Sequence, residues 1–297
     1  AAQMLYAYVL MTRPNRDYKE SEKQLKDVIG MPYGLLENYE DVYKLEYKNS
    51  KEHIFSVQYM KGDYGISSQW LYHFIPKSKD PILITGVPYG DNLLQGGWNV
   101  PTQKMIDSYE LNDKRLNASI AVAVGQSENG EVLSFENVLK PKDPAIADYD
   151  YAIPFIAKYW NPHLKAFETD DNWPIYRYAD ALLLLAENLV EQGKNEEAKT
   201  YLNQVRVRAG LDPLFKVNKE DVAHERKVEL AFENHRWFDL VRTGKAIEVI
   251  KEHGDYIKSI DIHVSEKAYK ITSDDYLFPI PYRERNINQK LKQNPGY

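Results

Sequence analysis

PIYRYADALLLLAENLVEQGKNEEAKTYLNQVRVRAG, residues 174–210, is the stretch whose spacing decides the fold. Ile175, Tyr178, Ala179, Leu182, Leu183 and Ala186 recur at steps of three and four, with Leu189 or Val190 next. That period marks one face of a helix. Pro174 suits the first turn and Gly193 the stop. Asn195 is expected to cap a second helix that carries Ala198, Leu202, Val205 and Ala209 and ends at Gly210. Two helices of about 15 residues joined by a short turn resemble a tetratricopeptide hairpin. Downstream, the spacing predicts a third long helix over Glu220 to Arg242, striped by Val228, Ala231, Phe232, Phe238 and Val241 and stopped at Gly244.

Upstream, AAQMLYAYVLM at 1–11 consists of strong helix formers, with Leu5, Tyr8, Val9 and Met11 as its apolar side. After a break at Arg13-Pro14-Asn15, Asp17 to Ile29 places Tyr18, Leu25, Val28 and Ile29 at helical spacing, and Gly30 caps it. Residues 1–30 therefore read as a helical hairpin and 174–297 as a second helical region. Residues 31–173 show no sustained helical period and read as a loop-rich region. Within it Ile54 to Tyr59 alternates as a short strand, and Pro101-Thr102 opens a short helix through Tyr109. The first helix is apolar enough to require a partner, and a segment outside the chain is expected to pack on residues 1–30.

Composition removes several classes. The 297 residues are 43% hydrophobic and 28% charged, enough for a core without low complexity. The longest aliphatic run, Ala181 to Ala186, is closed by Asp180 and Glu187, far short of the roughly 20 apolar residues of a membrane span. No positively charged, then apolar, leader opens the sequence. The absence of cysteine excludes a disulfide framework and cysteine chemistry, and a net charge of −6 argues against bulk nucleic-acid binding.

Catalytic motifs are missing as well. His224-Glu225 opens like a zinc-protease helix, but Val228 occupies the second ligand position. No nucleophile elbow or phosphate loop occurs, the seven histidines form no pair at ligand spacing, and a two-carboxylate hydrolase finds no supporting motif. Asp148, Asp150, Glu168, Asp170 and Asp171 lack the alternation of a calcium loop and read as solvated acids. Glu225, Arg226, Glu229, Glu233, His235, Arg236, Asp239 and Arg242 crowd the third helix. A catalytic reading makes Glu229 or Asp239 a base with His235. The favoured reading is a structural salt-bridge network, because nothing glycine-rich adjoins it.

The remaining candidate is aromatic. The chain has 23 tyrosines, 9 phenylalanines and 5 tryptophans, and residues 59–98 hold 6 of its 15 glycines among Tyr59, Tyr64, Trp70, Tyr72, Phe74, Tyr89 and Trp98. Flat rings cover the C–H faces of sugars while amides and carboxylates take the hydroxyls. Trp70, Tyr72, Tyr89, Asp91, Asn92 and Trp98 have that chemistry. The same rings suit a peptide groove, or loops anchored to a helical body.

Four stretches carry a resemblance to a known family. They are Gly97-Trp98-Asn99-Val100-Pro101-Thr102-Gln103 with Tyr109-Glu110 and Asp113-Lys114-Arg115; Ile175 to Glu187 with Leu202 to Gly210; Glu225-Arg226 through Leu240; and Tyr276-Leu277-Phe278-Pro279-Ile280-Pro281 with Gln293-Asn294-Pro295-Gly296-Tyr297. In this order they resemble the SusD/RagB family of outer-membrane nutrient-binding lipoproteins of Bacteroidota. The resemblance implies a mainly α fold, an α/α superhelix of tetratricopeptide-like hairpins with a long loop-rich insertion. It covers 1–297 as a single domain lacking its N-terminal part, about the last two thirds of a member. It also implies a cell-surface glycan-binding protein without catalytic residues, metal or cofactor. Such a protein is lipid-anchored to the outer membrane through a cysteine outside this chain and hands oligosaccharide to a TonB-dependent SusC-type transporter. The alternatives are a RagB-like peptide-binding component or, more remotely, a glycoside hydrolase. Asn234 stands where glycine is usual before His-Arg-Trp, a change the helix is expected to tolerate.

Overall fold

The computed structural model describes residues 1–63, 65–78, 82–88, 96–128, 131–132 and 135–297. In chain order the first elements are α1 (Ala2–Thr12), α2 (Tyr18–Ile29), β1 (His53–Val57), α3 (Trp70–Phe74), α4 (Ile82–Thr85), α5 (Gln103–Asp107) and α6 (Lys114–Ser119). The strands β2 (Ile120–Gly125), β3 (Ser127–Glu128), β4 (Glu131–Val132), β5 (Asn137–Leu139), β6 (Tyr151–Ile156) and β7 (Trp173–Arg177) follow. The chain then runs through α7 (Tyr178–Glu191), α8 (Asn195–Arg208), α9 (Lys219–Glu229), α10 (Arg236–Arg242), α11 (Ala246–Ile260) and α12 (Tyr282–Ile287). Ala1–Asn234 forms one compact unit and His235–Tyr297 another. Among the described residues no helix is long and apolar enough to cross a membrane.

The helical core of the first unit is built on α7, buried without a break from Ala179 to Val190. It packs against α2, α8 and α9, so no side is left for water. Most of its buried polar groups find internal partners, as burial demands, while Asp180 Oδ2 has none among the described residues. Asp180 accepts from Tyr8 at 2.5 Å and pairs with Arg226 at 3.0 Å, and the Asn188 amide donates to the Tyr18 carbonyl at 3.0 Å. The α1–α2 hairpin lies beside it, with α2 capped by Asp17, which accepts from the Glu20 amide at 3.0 Å.

A second core lies under a three-stranded antiparallel sheet of order β5-β2-β6. All six residues of β2, Ile120-Ala121-Val122-Ala123-Val124-Gly125, are buried. A short continuous apolar run of this kind signals a strand covered on both faces, and it gives order to part of the expected loop-rich region. A third ladder pairs β1 with β7, His53 opposite Arg177 and Val57 opposite Trp173. It joins segments 120 residues apart and sets the start of α7.

Five expectations need correction. Pro174 and Ile175 belong to β7, so α7 starts at Tyr178. Asn195 is the first residue of α8 rather than its cap, and its amide donates to the Val217 carbonyl at 3.0 Å. On α1 the buried residues are Met4, Ala7, Leu10 and Met11, while Leu5 and Val9 face outward at 55% and 49% exposure. A helix apolar all round gives periodicity nothing with which to choose a face. The long helix over 220–242 is two helices, because the chain turns between Glu229 and Arg236 with Phe232 at φ 65° and Asn234 at φ 69°. Asn234 is therefore not helical. It holds a left-handed position that glycine fits without strain and asparagine tolerates best among the rest.

Candidate functional site

Three of the four sequence stretches contribute to one buried ion network within the first unit. Arg115 meets Glu225 at 2.5 Å, Asp113 at 2.8 Å and Glu229 at 3.3 Å. Arg177 reaches Glu233 at 2.6 Å, Glu52 at 2.7 Å and Glu229 at 3.1 Å. Arg208 closes on Glu229 at 2.6 Å and Glu52 at 3.1 Å, Arg206 on Glu225 at 3.1 Å, and Lys158 on Glu233 at 2.7 Å. Glu52, Asp113, Glu225, Glu229 and Glu233 face Arg115, Lys158, Arg177, Arg206 and Arg208, five buried carboxylates against five cations, and the more exposed Glu110 also closes on Arg206 at 2.6 Å. Charge balance of this kind is what makes burying so many ions tolerable. Burial alone would raise the Glu229 carboxyl, but Arg208, Arg177 and Arg115 outweigh it and hold it down at about 2. A carboxylate so occupied cannot accept a proton near neutrality, so Glu229 is no general base. Asp239 pairs instead with Arg242 at 2.7 Å, within the second unit.

An aromatic ladder leads away from this network. Tyr39 touches Tyr43 at 5.6 Å, Tyr43 touches Tyr159 at 6.2 Å, and Tyr159 stacks on Trp173 at 5.1 Å. Trp173 then meets Trp70 at 5.0 Å and Trp70 meets Tyr59 at 5.3 Å. The phenols at the inner end donate to the Glu229 carbonyl (Tyr39, 2.8 Å), Glu233 (Tyr43, 2.8 Å) and the Phe232 carbonyl (Tyr159, 3.2 Å). Burial pushes all three well above the ordinary phenol value, so they stay neutral donors. These three tyrosines are thus structural.

The outer end of the ladder is α3, and the chain returns to it at Gly96-Gly97-Trp98. Both glycines have positive φ, 107° and 71°, and a Cβ at Gly96 would lie 2.5 Å from the Ile75 carbonyl oxygen. Only glycine allows this approach. The Gly97 amide then donates to Ile75 at 2.7 Å and the Trp98 amide to His73 at 3.0 Å. The indole of Trp98 stacks on the His73 ring at 4.9 Å and 20°, yet stays 62% exposed. One face of the ring is backed and most of the side chain meets solvent.

Of the six residues singled out in the sequence, Trp70 and Tyr72 share α3 and Trp98 is clamped to its C-terminal end. Tyr89, Asp91 and Asn92 lie outside the described residues. Tyr72 points into the sheet core at 1% exposure, packs on Phe167 at 4.2 Å, and bonds its hydroxyl to His163 at 2.6 Å. It offers a ligand no face. Trp70 is half-buried in the ladder, and its Nε1 has no hydrogen-bond partner. His73, the backing of Trp98, carried no signal in the sequence, since it lies 25 residues away with no periodic link.

The acidic residues read as loops take individual partners. Asp170 pairs with Lys48 at 3.2 Å, and Asp150 accepts from the Ser127 amide at 3.0 Å. Asp171 is instead buried, accepting from the Asn161 amide at 2.6 Å while its Oδ2 has no partner. Among the described residues no three metal-ligating side chains gather. Burial, against the Asn161 hydrogen bond, pushes the Asp171 carboxyl up from 3.8 to about 6. The neutral form is therefore favoured by folding, and this contribution is complete below about pH 4 and is lost as pH rises through 6. Asp171→Asn removes the charge and keeps an acceptor for Asn161. Relative to wild type it should gain about 2–3 kcal/mol in stability between pH 4 and pH 8. Urea unfolding at both pH values checks this; a stability difference that does not change with pH contradicts it.

Helical hairpins carrying a β-containing, loop-rich insertion define a mainly α, SusD-like architecture. The chain belongs to the SusD family, whose model matches residues 51–297. It is 34% identical over 155 residues to the SusD-like protein P38 of Formosa agariphila, a match covering 48% of this chain and 28% of that protein. SusD-like protein P2 of the same organism is 30% identical over 221 residues, 68% of this chain and 41% of the relative. Among solved structures, a SusD superfamily protein from Parabacteroides distasonis superimposes with a TM-score of 0.69 at 25% identity, covering 99% of this chain and 62% of that one. The surface glycan-binding protein A from Bacteroides thetaiotaomicron, solved in complex with laminarihexaose, gives 0.69 at 24% identity, covering 98% and 62%. The chain thus spans less than two thirds of the length of these relatives.

Proposed function

We propose that this chain is the ligand-capturing part of a non-catalytic surface glycan-binding protein. It takes an oligosaccharide and passes it to a TonB-dependent SusC-type transporter at the outer membrane, where a lipid anchor holds it. The observation that carries the reading is Trp98, a flat ring backed by His73 on a glycine-clamped loop and open to solvent. Such a ring presents a rigid apolar surface to the C–H face of a sugar at little entropic cost. The non-catalytic half of the reading is supported by Glu229, whose lone pairs are taken by arginines. The glycan-binding half is supported by family membership and by the laminarihexaose complex of a protein with the same fold.

The test is calorimetry of the wild type and Trp98→Ala against a panel of neutral oligosaccharides and a panel of peptides. Loss of the ring should weaken the best glycan by about tenfold, the equivalent of roughly 1–2 kcal/mol. Unchanged glycan affinity in the variant removes Trp98 from the site. Binding of peptides alone assigns peptide cargo instead. New reducing ends appearing in proportion to purified protein overturn the non-catalytic reading.

A further inference from the structure

A groove of about 570 Å³ opens elsewhere in the first unit, floored by β2 and β5 and walled by α6 and residues 38–40. Its volume is that of a small-ligand site, and none of its lining comes from α3 or the Trp98 loop. Trp160 stands in its wall, 38% exposed. That ring is fixed from behind, because its Nε1 donates to the Ile84 carbonyl at 2.6 Å and its face meets Phe155 edge-on at 5.4 Å. Asn38 and Asn117 add exposed amides to the rim.

The charge of the groove is the decisive feature. Lys114 and Lys140 both line it, and neither makes an ion pair among the described residues. The one carboxylate in the wall, Glu40, is bound to Lys44 at 3.2 Å. Lys114 also has a defined course. Its stem lies against Gly210, where an added Cβ would come within 3.0 Å of Lys114 Cε, so the missing side chain at 210 leaves room for it. In a chain of net charge −6, two unneutralised ammonium groups beside a fixed indole and two amides form a local positive site. Ammonium groups bind anionic oxygens more strongly than neutral hydroxyls, and the indole covers a ring face.

We propose that this groove is a second saccharide site, separate from Trp98, that takes an acidic sugar whose carboxylate or sulfate is met by Lys114 and Lys140 while Trp160 covers its ring. The inference does not require the Trp98 reading to hold. It is tested by calorimetry with a galacturonate tetramer, the galactose tetramer of the same linkage, and a sulfated form of the latter. The proteins are the wild type, the double variant Lys114→Gln/Lys140→Gln, and Trp98→Ala. Both lysines are exposed, so the double variant should fold, and circular dichroism is the check on this.

At least one acidic tetramer should bind the wild type about tenfold more tightly than the neutral one, as expected for hydrogen bonds to charged groups. Which of the two does so identifies the anion. The advantage should disappear in the double variant and shrink at high salt, yet persist in Trp98→Ala. Equal affinity for acidic and neutral tetramers, no binding of either acidic tetramer, or an acidic preference that survives loss of both lysines overturns the proposal. An acidic preference abolished by Trp98→Ala also overturns it, because the anion would then be read at the other site.

Discussion

Replacing Glu229 by alanine lowers the stability of the chain by about 3–5 kcal/mol, the usual cost of removing one partner from a buried ion cluster. Its carboxylate is fully buried and is shared by Arg208 at 2.6 Å, Arg177 at 3.1 Å and Arg115 at 3.3 Å. Alanine leaves these guanidiniums one negative charge short in a place water does not reach, and desolvated charge without compensation is the expensive case. Glu229→Gln keeps the volume and most hydrogen-bonding positions, so its loss measures the charge itself. A contrast is Glu248→Ala, where an exposed pair with Lys245 at 2.9 Å is removed. Pairs in water gain little against screening and side-chain entropy, and no measurable change is expected. The acid limb follows from the same cluster. The Glu229 carboxyl lies near 2 in the folded chain against an ordinary 4.5, so its contribution is complete above about pH 4.5 and is lost as pH falls towards 2. Urea denaturation at neutral pH decides the matter, and a Glu229→Ala protein as stable as wild type would show that the cluster is not what holds α9 to the sheet.

Phe155→Ala is the second large effect, at about 3–5 kcal/mol for a fully buried ring. Phe155 sits at 0% exposure in the core shared by Leu71, Tyr72, Ile75, Ile84, Ala121 and Ala123. Its removal opens a cavity under β6 and withdraws the support of Trp160, 5.4 Å away. Because the same core carries α3, the backing of Trp98 should loosen too, and glycan affinity should fall further than stability alone explains. Phe155→Leu, which refills most of the space, should recover over half of the loss. Denaturation followed by tryptophan fluorescence reads both consequences. A loss below about 1 kcal/mol would mean that the sheet core relaxes around the gap.

The helices that lie where the sequence places them share one property: their signals are local. Gly193, Gly210 and Gly244 end helices with φ of 75°, 84° and 72°, and Thr102 caps α5 by accepting from the Met105 amide. Propensity and capping act over four residues or fewer, so no tertiary knowledge is needed to read them. The misreadings share the opposite property. The inward face of α1 was chosen by α2 and not by its own pattern. Asn234 looked like a helical residue because nothing local reports a left-handed φ.

The ion network was half legible. Arg115, Arg177, Arg206 and Arg208 all stand in the stretches that suggest the family, and the spacing of Glu229 and Glu233 reads as a structural network. Their pairing was not legible, since Arg208 finds Glu52 from 156 residues away and Tyr43 finds Glu233 from 190. Lys158 and Glu52 had no pattern at all.

Sequence by itself determined the helical class, the ends of several helices, the family, and an aromatic, glycine-rich segment with the chemistry to bind. Tertiary structure alone decided which aromatic is available. Tyr72 and Trp98 belong to the same segment, yet one is sealed by Phe167 and His163 and the other is held out on a glycine hook. The reason is physical: conformation is set by near neighbours, whereas exposure depends on what the rest of the chain brings to each ring, and here that came from about 90 residues further on.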